Sequence, residues 1–166
     1  MSLSSLPRSG ILAFMDEAAR EQFGSYGRLI TTAPGEVLMR EGEVNQNLYI
    51  VVAGTFSITG EASGQEVHID TVGTGDCLGE VAIFNPDRAS ATVRSLEHGK
   101  LWTIDVNALQ QFLYDSPADG CAALLGIDIM LSRRLKRTNA LIQKHEILPG
   151  FLSVRSRKRA ATATLR

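Results

Sequence analysis

The sequence has little of what staples a chain, spans a bilayer or binds a metal. Its two cysteines, Cys77 and Cys121, are far apart and show no metal-type spacing. A disulfide framework is excluded, and two isolated buried thiols in a reducing compartment are expected. No run approaches the roughly 18 apolar residues needed to cross a bilayer. Met1 to Gly10 lacks a basic stretch followed by an apolar one, so no secretory signal is visible and a cytoplasmic location is expected. Histidines are few: His68, His98 and His145 fall in different predicted elements, which argues against a metal site. No nucleophile elbow appears. The acidic pairs Asp16-Glu17 and Glu41/Glu43 read as solvated surface, so an enzyme is not expected. Nor is there an excess of charge. Seventeen basic against eighteen acidic residues give a net charge of −1, and bulk charge supplies no polyanion partner.

What is present is one domain's worth of ordinary globular sequence. The 166 residues are 44% hydrophobic and 21% charged, enough to bury a core without staples. Residues 1–27 form an N-terminal segment and helix. Within it Ile11 to Phe23 carries apolar residues at helical spacing, and Gly24 and Gly27 stop it. Residues 28–105 change character. Short β-rich runs at Arg28–Ala33, Val37–Arg40, Asn47–Val52, Thr55–Gly60, Glu66–Val72, Ala91–Ser95 and Lys100–Ile104 alternate with turn formers such as Pro34-Gly35, Gly42, Ser63-Gly64 and Gly73 to Gly75. These intervals predict an all-β sandwich or barrel, and they are too short for crossover helices, so the pairing is antiparallel. Trp102 is expected to pack in this core.

Helical periodicity returns in residues 106–145. Val106 to Tyr114 is one helix, and Asp115-Ser116-Pro117 breaks it. Ala118 to His145 is a long second helix with Leu124, Ile127, Leu131, Leu135, Thr138 and Leu141 on a stripe. That stripe fits packing on the β-domain or on a second copy in a dimer. Pro149-Gly150 should end it. Residues 146–166 hold Arg155, Arg157, Lys158, Arg159 and Arg166 and no acid after Glu146. They are expected to form a disordered, solvated tail, whose charge would permit contact with anionic lipid.

The most informative segment runs from residue 75 to 93. Gly75-Asp76-Cys77-Leu78-Gly79-Glu80-Val81-Ala82 reads as a strand entering a helical turn. The start of such a turn exposes backbone N–H groups that favour a phosphate. Glu80 can accept hydrogen bonds from a sugar hydroxyl, Arg88 supplies a cation, and Ser90 and Thr92 supply hydroxyls. This segment resembles the phosphate-binding cassette of cyclic-nucleotide-binding domains. Upstream, Pro34-Gly35-Glu36, Glu41-Gly42-Glu43 and Leu48-Tyr49 through Gly54 match the same family's spacing.

The resemblance covers about residues 14–141. It implies a mainly β fold: an antiparallel β-roll, or jelly roll, with an N-terminal helix and C-terminal hinge and lid helices. It also implies roles. Glu80 would hold the ribose 2′-hydroxyl. The backbone of Gly79, Val81 and Ala82 would face the cyclic phosphate, with Ser90 nearby. Val67, Ile69 and Leu78 would lie beside the purine, and the long helix would close over it. The implied ligand is cAMP or cGMP, with no cofactor or metal.

One departure stands out. When Glu80 and Thr92 are matched to the cassette without gaps, its proline falls on Arg88 and its phosphate-pairing arginine falls on Ala89. Either the turn Asn85-Pro86-Asp87 is one residue tighter and Arg88 still reaches the phosphate, or the pocket is degenerate. Asp87 is a second concern, since a carboxylate repels a phosphate. The expected function is a cyclic-nucleotide-responsive regulatory module that signals through its C-terminal helix to an unidentified protein partner. The alternative is a dimerisation or docking module that binds no nucleotide. Only about twenty residues follow His145, too few for a three-helix DNA-binding unit, so specific DNA binding is not expected.

Overall fold

The computed structural model of the chain describes residues 6–81 and 88–160, with side chains as far as Ala140. Residues 1–130 form one compact unit and residues 131–166 a second.

The glycine-punctuated runs of the first unit become β1 (Arg28–Thr32), β2 (Val37–Met39), β3 (Asn47–Ala53), β4 (Phe56–Ala62), β5 (Gln65–Val72), β6 (Cys77–Leu78), β7 (Thr92–Ser95) and β8 (Gly99–Asp105). They make two four-stranded sheets, ordered β1-β8-β3-β6 and β2-β7-β4-β5, and every pairing is antiparallel. Turn chemistry fixes the register. Ser63 and Gly64 both take positive φ, 54° and 78°, as a two-residue hairpin with the twist of its strands requires. That turn sets Ala62 opposite Gln65.

Alternation along the strands then divides the apolar residues between two layers. Tyr49, Val51, Phe56, Val72, Leu78, Val93 and Leu101 form the core cluster, with Ile30, Leu38, Met39 and Ile58 packed around it. On the opposite face of β8, Trp102 is 2% exposed. It is covered by α1 (Glu17–Ser25) and α2 (Val106–Asp115). The Phe23 ring lies 4.6 Å from Trp102 and 4.8 Å from Phe112, and the indole N–H donates to the Gly24 carbonyl at 3.1 Å. The fold is therefore the mainly β roll with flanking helices that the sequence implied.

Four local expectations need correction. The helix read over residues 11–23 is two pieces, a 3₁₀ turn at Gly10–Leu12 and then α1. The Asp16 carboxylate accepts the Ala19 N–H at 2.9 Å and starts a new helix there, as an N-cap does. Pro117 opens the long helix α3 (Pro117–Ala160), because the first helical position needs no N–H. At the other end α3 continues through Pro149-Gly150, and the expected disordered tail is helical as far as Ala160. A proline removes one ladder bond and can kink a helix without ending it. The side chains of its basic residues, and all of residues 161–166, lie outside the described residues. Finally, Cys77 is buried but Cys121 is exposed. Cys121 lies two residues, about 200° around the helix, from the buried Ala123.

Candidate functional site

The cassette begins in a turn that only particular residues can make. Gly75 takes φ +91°. The Gly73 N–H donates to Asp76 Oδ2 at 2.9 Å, and the Asp76 N–H donates back to the Gly73 carbonyl at 3.0 Å. The chain then enters β6, which pairs with Tyr49 and Ile50 of β3. Burial pushes the Tyr49 phenol above its ordinary pKa.

Gly79 follows at φ +78°. A side chain here would collide with the Asn47 carbonyl and approach Asn45 Nδ2, so position and conformation both demand glycine. Asn45 is itself buried, and its amide bridges both backbone groups of Asn47: Nδ2 donates to the carbonyl at 2.8 Å and Oδ1 accepts the N–H at 3.4 Å. This seat under Gly79 went unread in the sequence, although Asn45-Gln46-Asn47 carries the signature of a side-chain-to-backbone turn.

Glu80 and Val81 open a helical turn. Glu80 is 5% exposed, and its Oε2 lies 4.0 Å from the Cys77 thiol, which donates to it. A carboxylate is rarely this buried without a specific role for its charge. Val81 is 44% exposed, Val67 46% and Ile69 47%. Ile69 sits at a register shift in the β4–β5 ladder, unpaired between His68 and Asp70, and Val67 pairs with Gly60. There the Ile69 side chain lies against Gly60, in the space a side chain on Gly60 would fill. Leu78, grouped with Val67 and Ile69 in the sequence, faces the core instead and is 2% exposed. Ala82, Pro86 and Asp87 lie outside the described residues.

At the far end the chain returns beside the loop of residues 42–44. Arg88 bridges to Val44. The Ala89 N–H donates to the Glu43 carbonyl at 2.8 Å, and the Gly42 N–H donates to the Ala89 carbonyl at 2.9 Å. The Arg88 side chain is exposed, and its guanidinium donates to the Gly42 carbonyl at 2.7 Å. Ala89, at the place the resemblance gives to the phosphate-pairing arginine, is buried. Ser90 is exposed. In β7 the Thr92 hydroxyl accepts the Glu41 N–H at 3.0 Å.

The proposed lid residues divide by burial. Ile127 and Met130 of α3 are buried, whereas Leu125 is 49% and Leu135 61% exposed. Among the described residues no group of three or more His, Cys, Asp or Glu could hold a metal ion, and no helix is long and apolar enough to cross a membrane.

Comparison with known proteins gives a consistent result. The family model described as "Cyclic nucleotide-binding domain" matches residues 29–116. A CRP-like cAMP-activated global transcriptional regulator of Mycobacterium tuberculosis is 28% identical over 135 residues, 81% of this chain and 58% of the relative. The chain thus spans little more than half the length of that protein. Among solved structures, the N-terminal domain of a transcriptional regulator from Streptomyces coelicolor is 27% identical. It aligns over 81% of this chain and 92% of its own, with a TM-score of 0.66. A cyclic nucleotide-binding domain from Methylobacillus flagellatus superimposes with a TM-score of 0.76 at 19% identity, covering 79% of this chain and 74% of that one. That last likeness concerns the fold alone. With the roll, the glycine-seated turn and the family match in agreement, the chain belongs to the cyclic nucleotide-binding domain family.

Proposed function

We propose that this domain is a regulatory module that binds a cyclic nucleotide, cAMP or cGMP, in the concave side of its roll and transmits occupancy through α3 to a protein partner. The observation that carries the reading is the pairing of Gly79 with Glu80. A glycine-only backbone, held on the Asn45–Asn47 turn, opens a helical turn whose first side chain is a buried carboxylate. In this reading Glu80 accepts from the ribose hydroxyl, and the backbone N–H groups from Gly79 to Ala82, with Ser90, face the cyclic phosphate. Val67 and Ile69 meet the base. Their exposure, unusual for two apolar residues on one strand, supports a ligand that covers them.

Binding shifts α3 only if the nucleotide has different affinity for two positions of that helix. In the first unit the exposed Leu125 of α3 is open to a partner or to a second copy of the chain, as is the exposed Leu135 in the second unit. A cytoplasmic setting, where cyclic nucleotides are made and read, is part of the same proposal.

A second reading has its own observation. Arg88 rests on the Gly42 carbonyl and Ala89 is buried, the arrangement expected of a roll kept for docking or dimerisation. Isothermal titration of the purified domain with cAMP and with cGMP separates the two. Saturable heat with one-to-one stoichiometry supports the sensor. No heat from either nucleotide at high micromolar protein supports the docking module.

A further inference from the structure

The even balance of charge over the whole chain hides a sharp division. From that division, and from the spacing of the cations, we infer that the C-terminal part of α3 binds double-stranded DNA through its phosphates, without reading base sequence. The inference goes beyond the nucleotide reading and does not depend on it.

Charge divides where the chain does. Residues 1–130 carry seven Lys or Arg against seventeen Asp or Glu, a net charge of −10. Residues 131–166 carry ten Lys or Arg against one acid, a net charge of +9. Seven of those ten cations are arginines, whose planar fork matches phosphate oxygens. Where side chains are described, the basic stretch is open to solvent: Arg133, Lys136 and Arg137 are all exposed. A polyanion is attracted to such a segment and repelled by the acidic first unit, which confines the contact to the second.

Spacing selects the polyanion. Residues 133–137 and residues 155–159 of α3 each hold four cations. Arg133, Lys136 and Arg137 each recur as a cation of the same type 22 residues later. Twenty-two residues of α-helix rise about 33 Å and complete six turns plus roughly 40°. The two clusters therefore occupy nearly the same side of α3, one DNA turn apart, since half-sites one turn apart on B-form DNA are roughly 34–36 Å from each other. A bend of about 30° at Pro149, between the clusters, would shorten the span by only about 1 Å. Laid along a duplex, the helix brings both clusters to the phosphate backbone at equivalent points of successive turns. Neither a lipid surface nor an acidic protein has that period. A bilayer also requires one continuous apolar face. The apolar positions here go round the helix instead: Leu131 and Phe151 are about 160° apart, and Leu135 and Ile147 about 120°.

The test is fluorescence anisotropy of labelled duplexes with the whole chain, from about 50 to 300 mM salt. The probes are two unrelated duplexes of about 20 base pairs and one of about 8. The wild type should bind both longer duplexes alike, within threefold, in the micromolar range. It should bind the short one at least tenfold more weakly. One variant combines Arg133→Gln, Arg134→Gln, Lys136→Gln and Arg137→Gln. The other combines Arg155→Gln, Arg157→Gln, Lys158→Gln and Arg159→Gln. Glutamine keeps helix propensity, and the urea midpoint checks that the fold is kept. Each variant should lose at least tenfold in affinity for the longer duplexes and flatten the slope of log affinity against log salt by about 3. The second variant should bind short and long duplexes within threefold of each other. No binding at high micromolar protein and low salt, or binding unchanged in both variants, would overturn the inference. So would a wild type that binds short and long duplexes alike. Tighter binding to phosphatidylcholine vesicles containing phosphatidylserine would assign the segment to a lipid surface instead, and tighter binding to poly-glutamate to an acidic protein. Salt-sensitive self-association with no duplex binding would give it to the acidic unit of a second copy.

Discussion

The two ends of the cassette are built on the same loop but by different means. At the start, Gly73 to Val81, conformation is imposed by backbone: positive φ at Gly75 and Gly79, a reciprocal bond pair between Gly73 and Asp76, and a steric wall of Asn45 and Asn47. At the finish, Arg88 to Thr92, it is imposed by pairing with a distant segment, including one long side chain laid across Gly42. A backbone constraint tolerates almost no substitution, because a non-glycine residue at such φ costs about 1–3 kcal/mol even before any collision. A side-chain clamp tolerates more, because Arg88 is exposed and water can take over the Gly42 carbonyl when the guanidinium is lost, with the two backbone bonds between Ala89 and the loop still in place. The start should therefore be where nucleotide recognition is rigid, and the finish where it can be retuned.

Substitutions that strike each end unequally sharpen this contrast. The largest effect is expected at Gly79. Gly79→Ala should lower stability by at least about 2 kcal/mol, seen as a reduced midpoint in urea unfolding, and abolish measurable nucleotide binding. An alanine variant as stable as the wild type would mean that the Asn47 carbonyl yields easily, and the rigid start would be lost as an idea. Next comes Glu80→Gln, which keeps size and removes charge. Affinity for cAMP should fall by roughly ten- to a hundredfold, the equivalent of about 1.5–3 kcal/mol for a charge-assisted bond, while the unfolding midpoint moves little. Ala89→Arg should act in the opposite direction by about tenfold, which would show that the finish accepts a new cation. The smallest effect on stability is expected for Arg88→Met, which removes one exposed hydrogen bond to the Gly42 carbonyl and should move the urea midpoint less than Gly79→Ala does. Equal losses of stability at Gly79 and Arg88 would erase the distinction between the ends.

How much of this was legible beforehand follows the same division. Strands bounded by glycine turns were readable because a turn's φ restricts which residues can occupy it, and the observed strands fall within a few residues of the runs at Arg28, Asn47 and Lys100. The buried Trp102 was readable from its strand neighbours Leu101 and Ile104, both also buried. Gly79, at φ +78°, was readable for the same local reason as the turns. Less accessible were features decided by partners distant in sequence. That Arg88 donates to the Gly42 carbonyl depends on where a loop more than forty residues away comes to rest, and no periodicity encodes that. Leu78 was grouped with the base-facing residues. It pairs with Tyr49 and joins the core, since alternation within a two-residue strand gives no direction until its partner is known. At Asp16 a cap was mistaken for continuity, whereas the break read at Asp115-Ser116-Pro117 is there, with the second helix starting one residue earlier than expected. A cap is a single-residue signal whose meaning depends on which side the helix lies.

The most direct measurement is a titration of the wild-type chain with cAMP and cGMP, alongside Glu80→Gln, read by calorimetry. Saturable one-to-one binding of at least one nucleotide, weakened tenfold or more by loss of the single carboxylate charge, is the predicted result. Binding indifferent to Glu80, or no binding by a folded wild-type domain, would contradict a ribose seat at the start of this cassette.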